Sequence, residues 1–197
     1  DGDGDDDDDA DADGDGEEIW RTSTTAWCQD DTCMDDPIVQ RIERKIGLTT
    51  GIVDENYYEN LQLLKYVPGQ YYKEHHDEQG DCYQDRYEPD GPRILTFFLY
   101  LNDVEQGGET RFTDIFGDDT GAYIDVQPKR GRALLWPSMR NNNVLAYDVR
   151  TFHAALEVKK GMKYAANAWL HLRDYRNSEC EEQDMDQLKK KLPFDLI

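Results

Sequence analysis

The spacing of apolar positions changes once along the chain. Asp36-Pro37 followed by IVQRIERKIG carries Ile38, Ile42 and Ile46 on adjoining parts of one helical face. Asp36 is placed to cap this helix, Pro37 fits its first turn, and Gly47 reads as its end. After a short turn or helical piece at 56–60, the rhythm becomes that of strands. ENLQLLKYV and QYYKEHHDE flank the breaker Pro68-Gly69, and RILTFFLYLND is almost continuously apolar, as expected of a strand buried on both faces. Glu105 to Gly108 reads as a turn, ETRFT as a short strand, and 114–122 as a loop. YIDVQPKRGRALLWP predicts two short strands around the turn Pro128 to Gly131, while DVRTFHAALEV and MKYAANAWLHLRD predict two more around Lys159-Lys160-Gly161. Residues 79–92 form a polar Gly/Pro-rich loop, and 176–197 read as charged and helical.

Many short strands with few helices predict a mainly β domain with flanking helices, in the form of a sandwich or barrel. A jelly roll, or double-stranded β-helix, has a chemical attraction. Its opposed short strands bring residues far apart in sequence into one pocket.

Charge changes this picture at one end only. The chain of 197 residues has a net charge of -21, but residues 1–18 hold ten Asp, two Glu and no base. Without them 31 acids face 22 bases, so the remainder is moderately acidic. Residues 1–18 cannot bury enough apolar surface to fold and are read as a disordered segment, with 19–197 as one folded domain. Asp9, Asp11, Asp13 and Gly14 imitate the first half of a calcium loop, but its twelfth position is Trp20 and its eighth Gly16, which removes that reading. No basic face exists for nucleic acid, and a basic polypeptide partner is favoured by charge. No apolar run is long enough to span a membrane, so no direct membrane contact is expected of this segment. The chain opens without Met or signal peptide and is read as a mature or truncated form lacking a leader or anchor, and as a monomer. Cys28, Cys33, Cys82 and Cys180 suit two disulfides in an oxidising compartment. Of three possible pairings, Cys28–Cys33 closes a small loop and leaves Cys82–Cys180.

The candidate chemistry lies in His75-x-Asp77, with His153 far downstream and Lys163 ten residues further on. Two imidazoles and one carboxylate can occupy one face of a six-coordinate iron and leave positions open for a chelating co-substrate and dioxygen. Residues two apart on a strand share a face, so His75 and Asp77 point together while His76 points away, as a surface residue. A 2-oxo acid chelating the metal would leave its far carboxylate in the barrel, where Lys163 offers a compact charge and three donors.

These residues stand in an ordered set with Arg21-Thr22-Ser23, Tyr72 before His75, Tyr100-Leu101-Asn102-Asp103, Gly107-Gly108-Glu109-Thr110, His153-Ala154 and Gly161-x-Lys163. From about Trp20 to Tyr175 the chain resembles the catalytic domain of prolyl 4-hydroxylases, within the iron- and 2-oxoglutarate-dependent dioxygenases, in their compact plant, algal and microbial form. The resemblance implies Fe(II) held by His75, Asp77 and His153, and 2-oxoglutarate held by Lys163 and Tyr66 with Thr110 beside it. It implies a peptidyl-proline site lined by Tyr72, Arg93, Trp169 and His171, with Arg93 and His171 binding peptide carbonyls. It further implies rescue of oxidised iron by ascorbate, a proline-containing polypeptide substrate, and a place in the endoplasmic reticulum or secretory pathway. The rival readings are a related dioxygenase acting on lysine or a small molecule, with loop 79–92 setting the choice, and a binding jelly roll without turnover.

Overall fold

The computed structural model describes residues 19–77, 90–117 and 122–178. The acidic segment, most of the 79–92 loop, the expected C-terminal helix, Cys82 and Cys180 lie outside them. In chain order the elements are β1 (Thr24–Trp27), α1 (Asp31–Met34), α2 (Pro37–Thr50), β2 (Gln62–Tyr66), β3 (Tyr72–His75), β4 (Arg93–Tyr100), β5 (Gln106–Gly107), β6 (Thr110–Phe116), β7 (Tyr123–Val126), β8 (Ala133–Pro137), β9 (Met139–Arg140), β10 (Asn143–Tyr147), β11 (His153–Ala155), β12 (Val158–Lys160) and β13 (Lys163–His171). Short 3-10 turns stand at Glu55–Tyr57 and Val149–Thr151.

The strands form a five-stranded sheet in the order β1-β2-β13-β4-β8 and a four-stranded sheet in the order β3-β11-β6-β7. Two small ribbons, β9-β10 and β5-β12, accompany them. Every strand pairing among the described residues is antiparallel. Leu64, Phe98, Tyr100 and Trp136 of the larger sheet meet Phe112 of the smaller one in a common core. This is the jelly roll expected from the many short strands. The long apolar segment is β4, which has neighbours on both edges. Its outward residues Leu95, Phe97 and Leu99 pack with Ile42 and Ile46 of α2, so both faces are covered.

Three expectations need correction. First, α2 does not stop at Gly47 but runs to Thr50, and Gly51 ends it in the left-handed region at φ 79°. Gly47 is small for a packing reason: a Cβ there would stand 3.1 Å from the Ile52 carbonyl oxygen and 3.3 Å from Tyr58 Oη. The Asp36 cap is present, accepting from Ile38 N at 2.7 Å, but Ile38 is 58% exposed because the helix turns only its later residues to the sheet. Second, Gln106–Gly107 is not a simple turn but strand β5, paired with β12. Third, the 114–122 loop begins later, since β6 runs through Phe116. The two strands expected around Pro128–Gly131 are present and enter different sheets: β7 joins β6, and β8 joins β4. The sequence reading also missed β1, whose residues are mostly exposed at a sheet edge. A disulfide joins Cys28 at the end of β1 to Cys33 in α1, as expected.

Gly107 carries the tightest approach in the fold. At φ 78° its missing Cβ would lie 2.2 Å from the Glu157 carbonyl oxygen and 2.8 Å from Lys159 N, both backbone atoms of the opposing ribbon. Gly107→Ala is therefore expected to lower unfolding free energy by more than about 2 kcal/mol. Urea denaturation of the two proteins checks this, and equal midpoints would show that the ribbon is not a fixed part of the fold.

Candidate active site

Pairing of β3 with β11 assembles the histidines. His153 stands opposite His75, whereas Ala155 stands opposite Tyr72, so β3 contains one extra residue. Such a bulge re-aims side chains. Here it puts Tyr72 and His75 on one side with their rings stacked at 3.6 Å. Asp77 follows two residues later. His75 Nε2 is 3.8 Å from Asp77 Oδ1, and His153 Nε2 is 3.7 Å from Asp77 Oδ2. One donor atom from each of the three residues lies within 4.8 Å of the others. These gaps are too long for direct hydrogen bonds and suit three donors around one ion with bonds of about 2.1 Å.

Protonation agrees with that use. His75 Nδ1 is 2.8 Å from the Lys73 carbonyl, and His153 Nδ1 is 2.9 Å from the Thr151 carbonyl. A carbonyl only accepts, so each Nδ1 carries the proton and each Nε2 presents a lone pair. Burial, aided by His153, pushes His75 down to about 3, which keeps it neutral. Burial alone would raise Asp77, but the two imidazoles and a 2.8 Å hydrogen bond from Thr96 Oγ1 outweigh it, so the carboxyl is held below its usual range. The donor set thus fits a divalent metal.

Lys163 begins β13 opposite Tyr66 of β2. It is fully buried, and its Nζ has no hydrogen-bond partner among the described residues. The Tyr66, Phe98 and Tyr100 ring centroids stand 5.1, 5.4 and 5.6 Å away. Burial pushes its pKa down to about 7, against a weak opposing pull from Glu109. Gly108 lets the chain pass close, since a Cβ there would sit 3.4 Å from Lys163 Cδ. Nearby, Tyr100 Oη donates to Thr110 Oγ1 at 2.7 Å. An ammonium with aromatic walls and no acceptor is costly unless an anion joins it.

Residues 61–171 match the sequence profile of the 2OG-Fe(II) oxygenase superfamily. The chain belongs to that superfamily. The cofactors are accordingly Fe(II) and 2-oxoglutarate, and the His75, Asp77 and His153 set supplies the donors such iron requires. Prolyl 4-hydroxylase subunit alpha-2 of Gallus gallus is 34% identical over 154 residues, 78% of this chain and 26% of the relative. Prolyl 4-hydroxylase 1 of Arabidopsis thaliana is 36% identical over 141 residues, 68% of this chain and 48% of the relative. The chain therefore spans between a quarter and a half of the length of these relatives. A solved 2-oxoglutarate complex of viral collagen prolyl hydroxylase from Paramecium bursaria Chlorella virus-1 superposes with a TM-score of 0.60 at 26% identity, covering 76% of this chain and 79% of that one.

Within this superfamily frame, one cavity collects most of the sequence-predicted residues. The three metal-binding candidates line it together with Tyr66, Tyr72, Arg93, Thr110 and Trp169. Lys163 is not in the lining but behind it, inside the aromatic walls just described. His171 is a correction. It is fully buried and absent from the lining, so it does not present itself to a peptide. Its Nε2 donates to Glu59 Oε1 at 2.6 Å, and its Nδ1 faces the Gly91 carbonyl at 3.0 Å and Asp90 Oδ2 at 3.1 Å. Burial works against the charged ring, but the bonds to Asp90 and Glu59 prevail and raise its pKa to about 9. Glu59 also receives Arg93 through Nε and, at 2.7 Å, through Nη2. The Arg93 guanidinium lies 3.8 Å from the Trp169 ring centroid. His171 therefore acts behind Arg93 rather than beside it.

Sequence reasoning missed Glu59, Thr96 and the amide pair in which Asn167 Nδ2 donates to Gln62 Oε1 at 3.1 Å. Thr96 and Asn167 had a signal, being polar residues within the apolar runs of β4 and β13. Glu59 had none, because its partners Arg93 and His171 are 34 and 112 residues away.

The depressed Lys163 pKa has a consequence for stability. Between about 7 and 10.5 the unfolded chain holds a proton at this site that the folded chain lacks, so folding is penalised below 7 and the penalty lifts as pH rises through that window. Lys163→Met, which keeps length without charge, is expected to stabilise the metal-free protein at pH 6 by roughly 2–4 kcal/mol, with the gain shrinking towards pH 10. Denaturant midpoints measured across pH give the answer. A variant less stable at pH 6 would show that the ammonium is already satisfied.

Proposed function

We propose that this chain is a peptidyl-proline 4-hydroxylase that uses Fe(II), dioxygen and 2-oxoglutarate to form 4-hydroxyproline, succinate and carbon dioxide. The observation that carries the reading is the pairing of the His75, Asp77 and His153 set with the partnerless buried ammonium of Lys163. A metal set alone does not specify the co-substrate. A buried cation lacking an acceptor calls for a ligand with a distant carboxylate. The similarity to proteins named prolyl 4-hydroxylase and collagen prolyl hydroxylase supports proline as the target.

Bound iron would supply the activation of dioxygen, coupled to oxidative decarboxylation of 2-oxoglutarate and oxidation at C4 of proline. The chain supplies placement. His75 and His153 present Nε2, and the Asp77 carboxylate, oriented by Thr96, reduces the net charge of the metal site. Lys163 holds the far carboxylate by charge, with Tyr66 as second donor and Thr110 beside it. Tyr72, stacked on His75, and Trp169, stacked under Arg93, give the proline ring two flat apolar walls. Arg93 is held by Glu59 and offers its guanidinium face to the peptide, while His171 fixes Glu59. Ascorbate would supply the reducing equivalents for iron held by His75, Asp77 and His153. The Cys28–Cys33 disulfide supports an oxidising compartment, consistent with the endoplasmic reticulum or secretory pathway.

Incubation with a ladder of proline-containing peptides is expected to add the mass of one oxygen to proline, with succinate formed in equal amount. Lys163→Ala should raise the KM for 2-oxoglutarate by about 100-fold or more, the scale of losing one partner of a buried ion pair. Oxygen found on lysine or on a small molecule would move the assignment to the rival dioxygenases. Peptides that leave succinate at the uncoupled background would remove the prolyl reading.

A further inference from the structure

The β3–β11 ladder ends at the rung joining His75 to His153. Past that rung the chain carrying Asp77 and the turn leading into His153 no longer share strand hydrogen bonds. His76 stands at this point. It is not the surface residue expected from strand alternation, but half-buried. Its ring lies against Tyr147 and Phe152, with centroids at 5.3 and 5.2 Å. Its Nε2 is 3.0 Å from Thr151 Oγ1 and 3.2 Å from the Asp148 carbonyl oxygen.

The tautomer follows from the partners. The Asp148 carbonyl can only accept, and the Thr151 hydroxyl spends its own proton on that same carbonyl at 2.9 Å. His76 Nε2 therefore carries a proton and donates to both oxygens. This is the reverse of His75 and His153, whose Nε2 atoms are bare. The protonated Nε2 has no lone pair for a metal, so His76 differs from its neighbours in chemistry as well as direction.

We propose that His76 is a positioning residue for the metal-binding set. It clasps the turn Asp148–Thr151 to the segment that carries His75 and Asp77. The path to the metal site is short: the carbonyl of Thr151, the residue His76 holds by its hydroxyl, takes the Nδ1 proton of His153 at 2.9 Å. The Asp148 carbonyl also accepts from Thr151 N at 3.0 Å, so the weight of the clasp falls on the buried Thr151 hydroxyl oxygen. Partners that orient a ligating histidine commonly change metal affinity by about 10–100-fold when removed. The inference rests on the reading that His75, Asp77 and His153 hold the metal.

The test is calorimetric titration of the metal-free full chain with Co(II) as the probe, alongside urea unfolding of the same metal-free proteins. His76→Phe keeps an aromatic ring against Tyr147 and Phe152 but has no donor, and should bind Co(II) about 10–100-fold more weakly under conditions in which urea unfolding shows the metal-free variant to be fully folded. His76→Gln restores an N–H donor and should recover most of that loss. Thr151→Val leaves the His76 ring in place, removes one acceptor, and should weaken binding in the same direction without adding fully to His76→Phe. Wild-type affinity in His76→Phe would overturn the inference while leaving the metal site intact. So would a loss in His76→Phe that tracks lost folding stability and is not restored in His76→Gln. If the wild-type chain takes up no Co(II), the metal reading itself falls, and the clasp falls with it.

Discussion

The register that sets His153 of β11 opposite His75 of β3 is the constraint on which the site depends. A slip of one residue would turn one histidine to the other face of its strand and dissolve the donor set. The bulge in β3 adds a second condition, because it brings Tyr72 onto the His75 side without disturbing that rung. The larger sheet supplies the remaining positions through its own register. Lys163 meets Tyr66, and Trp169 meets Thr96, whose hydroxyl orients Asp77. Two sheets facing across a shared core thus place residues from eight strands around one cavity.

Burial has opposite electrostatic outcomes at different points of this cavity, and the partners decide which. His75 is buried beside another imidazole and is pushed neutral, the form a metal needs. His171 is buried between Glu59 and Asp90 and is pushed into its cationic form. Lys163 is buried among aromatic rings and loses its grip on a proton. Two imidazoles in one small domain are thus driven in opposite directions by their neighbours alone, and the amine follows the first of them.

What could be read from the sequence follows the same division. The strands, the jelly roll and the residues His75, Asp77, His153 and Lys163 were legible, because alternation and spacing are local or fall in an ordered set. Gly47 was misread because a glycine required by close packing looks the same as one required by a helix end. The separation of β7 from β8 into two sheets was hidden because a tight turn signals a change of direction without specifying the partner. His171 and His76 were misplaced for a shared reason. Their environments consist of residues distant in sequence, Glu59 and Asp90 for one and Asp148 and Thr151 for the other.

The two ends of the cavity are prepared differently, and that difference has thermodynamic meaning. At the Arg93 end the guanidinium already has its carboxylate in Glu59, and Glu59 already has His171, so this wall is satisfied before any ligand arrives. Such a surface loses little freedom on binding and favours shape selection. At the Lys163 end the ammonium has no hydrogen-bond partner among the described residues, and folding bears the cost of burying it. On the proposed reading, a carboxylate bound there would do more than fill space: it would relieve that cost, and mass action would return the relief as stability of the whole domain. The proposal thus couples the firmest state of the domain to the presence of the dicarboxylate, while the Arg93 wall stays ready at all times.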